Sequence, residues 1–306
     1  MDDSLENQIL PDEPWRKFLV GRKDSEQQMF SVNKLLLAKA SPVFQRLFYG
    51  STADNSDVIL EPEVTPRAFS AMLNFIYTGT LRIGSFENAC ELYSVTVKYV
   101  LPTAVLACRS YLSQNLNAEN ICKAYEFAEI NDEAFLKRQC KEIFPTLIKE
   151  VISNPSFMEI KLSTLREILS MDNLMISEVE LFIALRNYVY VNDYLVELNE
   201  YNNKENQMQN AQEGEIYEPD GITIQKTIRN IEDLKYAIRQ IRFLTFTKEQ
   251  FVEIVAKSSL LSESEALAIL INIVLSSNKV CIMPEGFSTS RDRRYAQSFI
   301  ERTFFN

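Results

Sequence analysis

The sequence contains no histidine. That absence removes Ser-His-Asp and Cys-His catalysis, HExxH metal sites and the two-cysteine, two-histidine zinc sites. Glycine is scarce, at 7 of 306 residues, too few for a glycine-heavy nucleotide-binding protein. Positive charge is also in short supply: 32 Lys and Arg stand against 42 Asp and Glu, a net charge of -10. A general nucleic-acid binder shows the opposite balance, so direct nucleic-acid binding is not expected. The longest apolar run, Leu267 to Leu275, is interrupted by Asn272 and falls well short of the roughly 20 residues of a membrane span. The acidic start, Met1 to Glu6, has no apolar core of a secretory leader. What is present is 46% hydrophobic and 24% charged residues, enough to bury a core in one large domain or two ordinary ones.

The five cysteines, Cys90, Cys108, Cys122, Cys140 and Cys281, form no CxxC pair, and four sit inside apolar helical patterns. Clustered thiolates for zinc are therefore missing, and free buried thiols in a reducing cytosol or nucleus are expected. No cofactor and no metal is expected.

The first part of the chain mixes strands and helices. Lys17 to Gly21 and Gln28 to Val32 are short apolar runs separated by a charged stretch, which suits a hairpin. Helical patterns follow from Asn33 to Leu37 and from Pro42 to Phe48, and Val58-Ile59-Leu60 reads as a third strand. Thr65-Pro66 offers a cap with proline at the first helical position. Phe69, Met72, Leu73, Ile76 and Tyr77 then recur at helical spacing until Gly79. Leu81-Arg82-Ile83 reads as a last short strand, followed by helices carrying Leu92 and Tyr93, then Val105, Cys108 and Leu112.

After Asn117 the pattern is helical throughout. Three helices open on capping boxes: Ser177 with Glu180, Thr247 with Gln250, and Ser262 with Glu265. The stretch from Asn199 to Asp220 is rich in Asn, Gln and Glu. It has too little apolar surface to offset its ordering entropy, so a disordered acidic insertion near 199–225 is expected. Residues 1–14 and 281–306 are expected to be flexible.

These segments carry a resemblance. Asn33 to Phe44 resembles the first helical pair of BTB/POZ domains, H-K-x-x-L-A-x-x-S-x-x-F, and Leu47-Phe48-Tyr49-Gly50 resembles the M-F-Y-G of one subgroup. Pro66 to Gly79 is similar to the family's P-x-A-F-x-x-M-L-x-F-I-Y-T-G, and Lys98 to Pro102 to its K-Y-x-V-P. The helical remainder resembles a BACK domain, with Ser258 to Ser262 close to the S-G-x-L-S of BTB-BACK proteins. The resemblance implies an α+β BTB/POZ domain, a small sheet flanked by helices, over residues 15–116, and an all-α BACK domain over 117–280.

It also implies a function. BTB domains homodimerise, and many BTB-BACK proteins are non-catalytic, cytoplasmic substrate adaptors of a cullin-3 ubiquitin ligase; the nucleus remains open. The implied partners are cullin-3, a second BTB chain (this one or a relative) and an unknown client. By resemblance the cullin contacts fall at Phe48, Thr52, Ala53, Asp54 and Tyr99, and the dimer contacts at Asn33, Leu36 and Lys39. Phe48 reads more readily as core, and Tyr99 reads equally as a half-buried helix-end aromatic. Three departures bear on this. The family histidine is Asn33, and Trp15 or Arg16 stands where the family has an aspartate. The hydrophobic-x-Glu element of cullin-3 binders falls at Thr52-Ala53-Asp54, without its apolar anchor. Relatives of this kind usually continue into a β-sandwich or propeller domain after BACK, and no such domain is expected within these 306 residues: either the client-binding module is absent, or the sequence is a fragment, or the BACK domain itself recruits the client. The alternatives are a non-ligase scaffold or competitor that pairs with relatives, or a transcriptional cofactor.

Overall fold

The computed structural model describes residues 14–24, 26–54, 56–198, 221–275 and 282–290, with the side chains of 221–229 excepted. The described residues fall into two units, an N-terminal one built around a sheet and a helical one after it. The first unit comprises residues 1–116 with Asn131–Leu136, and the second 117–130 with 137–306.

In the first unit, β1 (Trp15–Val20) pairs antiparallel with β2 (Gln28–Asn33) and parallel with β3 (Val58–Glu61), giving the order β2-β1-β3. Phe18 and Val20 point from β1 into the core at full burial, while Trp15 and Lys17 face water. The β1–β2 turn depends on Gly21: its φ is 109°, and a β-carbon there would stand 2.3 Å from the carbonyl oxygen of Glu26.

The helices begin where the sequence supplies side-chain caps. The Asn33 side chain accepts from Leu36 N at the start of α1 (Lys34–Ala40), and Ser41 accepts from Val43 and Phe44 N at the start of α2 (Pro42–Tyr49). Thr65 caps α3 (Pro66–Thr78), which stops at Gly79 with φ 70°. Ser85 caps α4 (Phe86–Lys98), and Pro102 opens α5 (Pro102–Gln114). Leu81-Arg82-Ile83 is not a strand. It lies between the left-handed stop at Gly79 and the cap at Ser85, and no described strand pairs with it.

The core of this unit is an aromatic cluster. Phe18 and Phe69 lie 5.4 Å apart, Phe44 stacks on Tyr99 at 4.1 Å and on Phe48 at 5.8 Å, and Phe30 meets Phe69 at 5.1 Å. Each such pair adds about 1 kcal/mol beyond the apolar area it removes from water.

The second unit holds α6 (Ile121–Ile130), most of α7 (Ala134–Ser153), α8 (Leu162–Ser170), α9 (Glu178–Val191) and α10 (Gly221–Arg239). A short α11 (Lys248–Gln250) runs into a π-helical turn, and α12 (Glu263–Val274) follows. All three capping boxes form with both reciprocal hydrogen bonds. Phe182, Phe243, Phe246 and Phe251 make a second aromatic cluster.

Two segments lie at the expected boundaries. Residues 199–220 of the expected insertion lie outside the described residues, and 221–225 are the first residues of α10. Within the expected flexible tail, Phe287 is 8% exposed, packs 6.0 Å from Phe243 and lies 5.8 Å from the Arg239 guanidinium. Burial of that ring anchors 282–290 on the helical unit. Residues 1–13, Cys281 and 291–306 are outside the described residues.

Candidate interaction surfaces

Asn33 ends β2 and caps α1, so strand and helix chemistry meet at one residue. Its side chain accepts from Leu36 N at 3.1 Å, its own N–H donates to the Tyr77 hydroxyl at 3.3 Å, and across the sheet it stands opposite Trp15. Trp15, Leu35, Leu36 and Tyr77 are exposed, Leu35 by 64%. Large apolar side chains therefore gather in water around one polar cap, the composition of a protein-binding patch. Of the residues assigned to a dimer contact by resemblance, Asn33, Leu36 and Lys39 lie together along α1 and its cap. Leu36 and Lys39 are exposed and Asn33 half-buried. Trp15 is one of the two residues, with Arg16, that stand where the resemblance expects a dimer-region aspartate; Leu35 and Tyr77 carry no such signal, because periodicity does not reveal which apolar residues of a helix stay exposed.

The second set of residues divides. Thr52 is exposed, and Ala53 and Asp54 are half-buried. Their loop is held by its own backbone: Ala53 N donates to Gly50 O at 3.1 Å and Asp54 N to Leu47 O at 3.0 Å. The Arg16 guanidinium donates to the Asp54 carbonyl at 2.6 Å. The Asp54 carboxylate accepts from Ser56 N at 2.8 Å and Ser56 Oγ at 2.6 Å. The Ser56 hydroxyl, then the Ser56 amide, and Arg16 more weakly, hold the Asp54 carboxyl below its ordinary value. Its charge thus serves a turn of its own loop.

Phe48 and Tyr99 lie behind the surface, at 8% and 1% exposure, in the aromatic cluster. The buried Tyr99 phenol is pushed far up by burial first and then by the Glu61 carboxylate. Neighbours fill the surface instead: Tyr49 is exposed beneath the Lys34 ammonium at 6.0 Å, and Val97 and Val100 are about half exposed.

A third cluster is buried. Tyr93 donates to Glu133 Oε2 at 2.5 Å, and the Arg109 guanidinium donates to the same oxygen at 2.8 Å. Burial first, then the hydrogen bond and charge of Glu133, pushes the Tyr93 phenol up to about 12.

Cys108, Cys122 and Cys140 are buried free thiols, and Cys90 is a half-buried one. Burial pushes Cys108 up to about 11 and the other three up to about 12, so none is poised as a thiolate nucleophile. Among the described residues there is no group of three or more side chains that could hold a metal, and no helix long and apolar enough to cross a membrane.

Comparison with known proteins accounts for this arrangement. The family model for the BTB/POZ domain matches residues 18–116, and that for the BACK domain, "BTB And C-terminal Kelch", matches 121–197. BTB/POZ domain-containing protein 3 of Homo sapiens is 31% identical over 174 residues, which is 57% of this chain and 33% of that protein. BTB/POZ domain-containing protein 6 of Xenopus tropicalis is 29% identical over 171 residues, 56% of this chain and 32% of the relative. Protein 6-B of Danio rerio is 30% identical over 167 residues, 55% of this chain and 34% of the relative. The match spans about a third of the length of these relatives. A three-stranded sheet with capped helices, followed by a helical unit, is the architecture of both matched models in order, and the chain belongs to the BTB-BACK proteins.

Proposed function

We propose that this chain is a non-catalytic adaptor that recruits a client to a cullin-3 ubiquitin ligase through its BTB domain and pairs with itself or a related BTB chain. One observation carries the reading: a BTB/POZ domain stands directly before a BACK domain in the same chain. Adaptors work by positioning, raising the local concentration of a client near an enzyme held on another surface. They need exposed contact faces rather than reactive groups, and the apolar face around Asn33 supplies one such face. Four thiols kept free and protonated support work in a reducing compartment, which we take to be the cytoplasm.

The test is calorimetric titration of the full chain with the N-terminal domain of cullin-3. Binding with a Kd of about 1 μM or tighter, roughly -8 kcal/mol, is expected. A folded chain that gives no heat at tens of micromolar cullin-3 would sink the adaptor reading.

A second reading has its own support. Thr52-Ala53-Asp54 presents no apolar anchor, and the Asp54 carboxylate is engaged by Ser56. Loss of one anchor side chain costs an interface about 1–2 kcal/mol or more, at least tenfold in affinity. A chain so weakened on the cullin side and intact around Asn33 would act as a scaffold or competitor that occupies related BTB chains. Heterodimerisation with a relative, in the absence of cullin-3 binding, is the result that selects it.

A further inference from the structure

On a different face of the first unit lies an open groove of about 570 Å³, lined among others by Glu26, Gln28, Arg67, Ser70, Asn74 and Arg82. Its floor is one ridge of α3, because Arg67, Ser70, Ala71 and Asn74 follow at helical i, i+3, i+4 and i+7 spacing. Its far wall is the irregular segment between Gly79 and Ser85, which brings Arg82. Arg67 reaches toward that wall: a β-carbon on Gly84 would stand 3.9 Å from the Arg67 Nη2.

Charge is what sets this groove apart. In a chain of net charge -10, two exposed guanidinium groups line one groove, and neither forms an ion pair among the described residues. Glu26 lines the same groove and pairs with neither. Arg67 also sits in the first turn of α3, where the helix carries no acidic residue and its aligned peptide dipoles disfavour a cation. Two like charges and the positive end of a helix thus converge on one space. An anion bound there would relieve all three, and paired guanidinium forks match the oxygens of a phosphate better than a single carboxylate. The Ser70 hydroxyl and the Gln28 and Asn74 amides supply neutral donors along the same walls. The volume falls in the range of small-ligand and side-chain sites, 300–1,000 Å³ as an order of magnitude.

We propose that this groove binds a phosphorylated segment of a partner protein, with the phosphate held between Arg67 and Arg82 and the flanking peptide lying along α3. The site would let a client be selected by its phosphorylation state. It requires neither cullin-3 binding nor dimerisation, and its test is independent of both.

The experiment is fluorescence anisotropy of the full chain with a labelled oriented phosphoserine peptide library, beside the same library unphosphorylated. The phosphorylated pool is expected to bind at least tenfold tighter. Arg67→Ala and Arg82→Ala should each weaken it at least tenfold, and Arg67→Lys should restore only part, since lysine lacks the fork. Both arginines are exposed, so unchanged thermal melts will show that the variants fold. Equal binding of the two pools, or full binding by the Arg67→Ala/Arg82→Ala double variant, would overturn the proposal. So would displacement by inorganic phosphate at the same concentration as the peptide, which marks a bare anion site without peptide recognition.

Discussion

Ser41 Oγ donates to the carbonyl oxygen of Tyr99 at 2.5 Å, across 58 residues of sequence. Ser41 Oγ in turn accepts from Val43 N at 3.2 Å and Phe44 N at 3.3 Å, so one hydroxyl caps α2 and ties it to the end of α4. Ser41 is 1% exposed, so water cannot replace it. The tie sits where the Tyr99 ring stacks on Phe44, so helix start and aromatic core are set together. Ser41→Ala should destabilise the chain by about 2–3 kcal/mol, the sum of a lost cap and a stranded buried carbonyl. Urea unfolding will measure it. A loss under about 0.5 kcal/mol would mean that the cap is dispensable.

One residue further, Val100 has φ 53°, a left-handed conformation that is rare for a β-branched side chain. The hydrogen bonds explain it. Leu101 N donates to Thr96 O at 2.9 Å and Val100 N to Val97 O at 3.0 Å, the pair that closes a helix through a left-handed residue usually filled by glycine. Val100 is 46% exposed, so its side chain gains little from burial. Val100→Gly should stabilise the fold by up to about 1 kcal/mol, because relief of about 1–2 kcal/mol of strain exceeds the added freedom of the unfolded glycine. Val100→Ala keeps the β-carbon and should not stabilise. A raised urea midpoint for glycine and not for alanine is the expected pair of results; equal midpoints would show that the strain is absent.

Much of this architecture was legible from local chemistry. Ser177, Thr247 and Ser262 each precede Glu or Gln by three residues, and each forms its box, because capping depends on neighbours along the chain. Leu81-Arg82-Ile83 misled for the opposite reason: a strand needs a partner, and alternation alone does not supply one. Phe287 was missed because a single aromatic in a polar stretch carries no periodicity; only the pocket beside Phe243 explains it. Exposure was less legible than the elements that carry it. Motif resemblance points to α1 and the 52–54 loop, but burial of Phe48 and Tyr99, exposure of Trp15 and Tyr77, and the lack of an ion pair at Arg67 and Arg82 among the described residues arise from packing between distant segments.

Asp54 supplies a pH test of the loop that resemblance places against cullin-3. Its carboxyl is held below the ordinary 3.8 by the Ser56 hydroxyl and amide. A depressed carboxylate favours the folded loop at every pH above its unfolded value, and that contribution is lost as pH falls through the lower folded value. The loop should therefore be unaffected from neutral pH down to about 4 and loosen only below it. An NMR titration of the Asp54 carboxyl carbon should give a midpoint under 3.8 in the native chain. In Ser56→Ala, which removes the Oγ donor, the midpoint should move back toward that value. A midpoint at or above 3.8 in the native chain would contradict the Asp54–Ser56 turn.

Glu133 places a buried carboxylate between a phenol and a guanidinium, at 5% exposure. Removing it takes their shared acceptor from a buried phenol and a one-third exposed guanidinium, so Glu133→Ala should cost about 2–3 kcal/mol. Glu133→Gln keeps an acceptor for Tyr93 and loses the charge facing Arg109, so its cost should be smaller. The sign of the pH effect follows from Tyr93, whose folded phenol is raised from 10.0 to about 12. Its contribution is complete below pH 10.0 and is lost as pH rises toward 12. Tyr93 is one of several phenols raised by burial, so in tyrosinate absorbance the late-titrating group should lose one phenol to an earlier midpoint in Glu133→Ala, provided the variant remains folded by circular dichroism. Glu133→Gln serves where it does not. If Glu133→Gln and Glu133→Ala destabilise equally, the hydrogen bond to Tyr93 contributes nothing measurable.

The apolar face around Asn33 predicts self-association with a defined centre. Leu36 is 51% exposed and Trp15 is 54% exposed, and both adjoin Asn33: Leu36 N donates to its side chain, and Trp15 stands opposite it across the sheet. Two copies meeting through this face would bury both side chains, and large apolar side chains at the centre of an interface carry most of its affinity. Light scattering at tens of micromolar should give twice the mass of one chain. Leu36→Glu should weaken the dimer at least tenfold by placing a charge where it must lose its water, and Trp15→Ala should weaken it through lost contact area alone. Lys39→Ala, at the exposed end of α1, should have the smallest effect of the three and a salt-dependent one. Both apolar positions already face solvent in the single chain, so melting temperatures at low concentration should change little. A dimer indifferent to Leu36→Glu would assign pairing to another face, and a wild-type monomer at these concentrations would remove pairing from the proposed function.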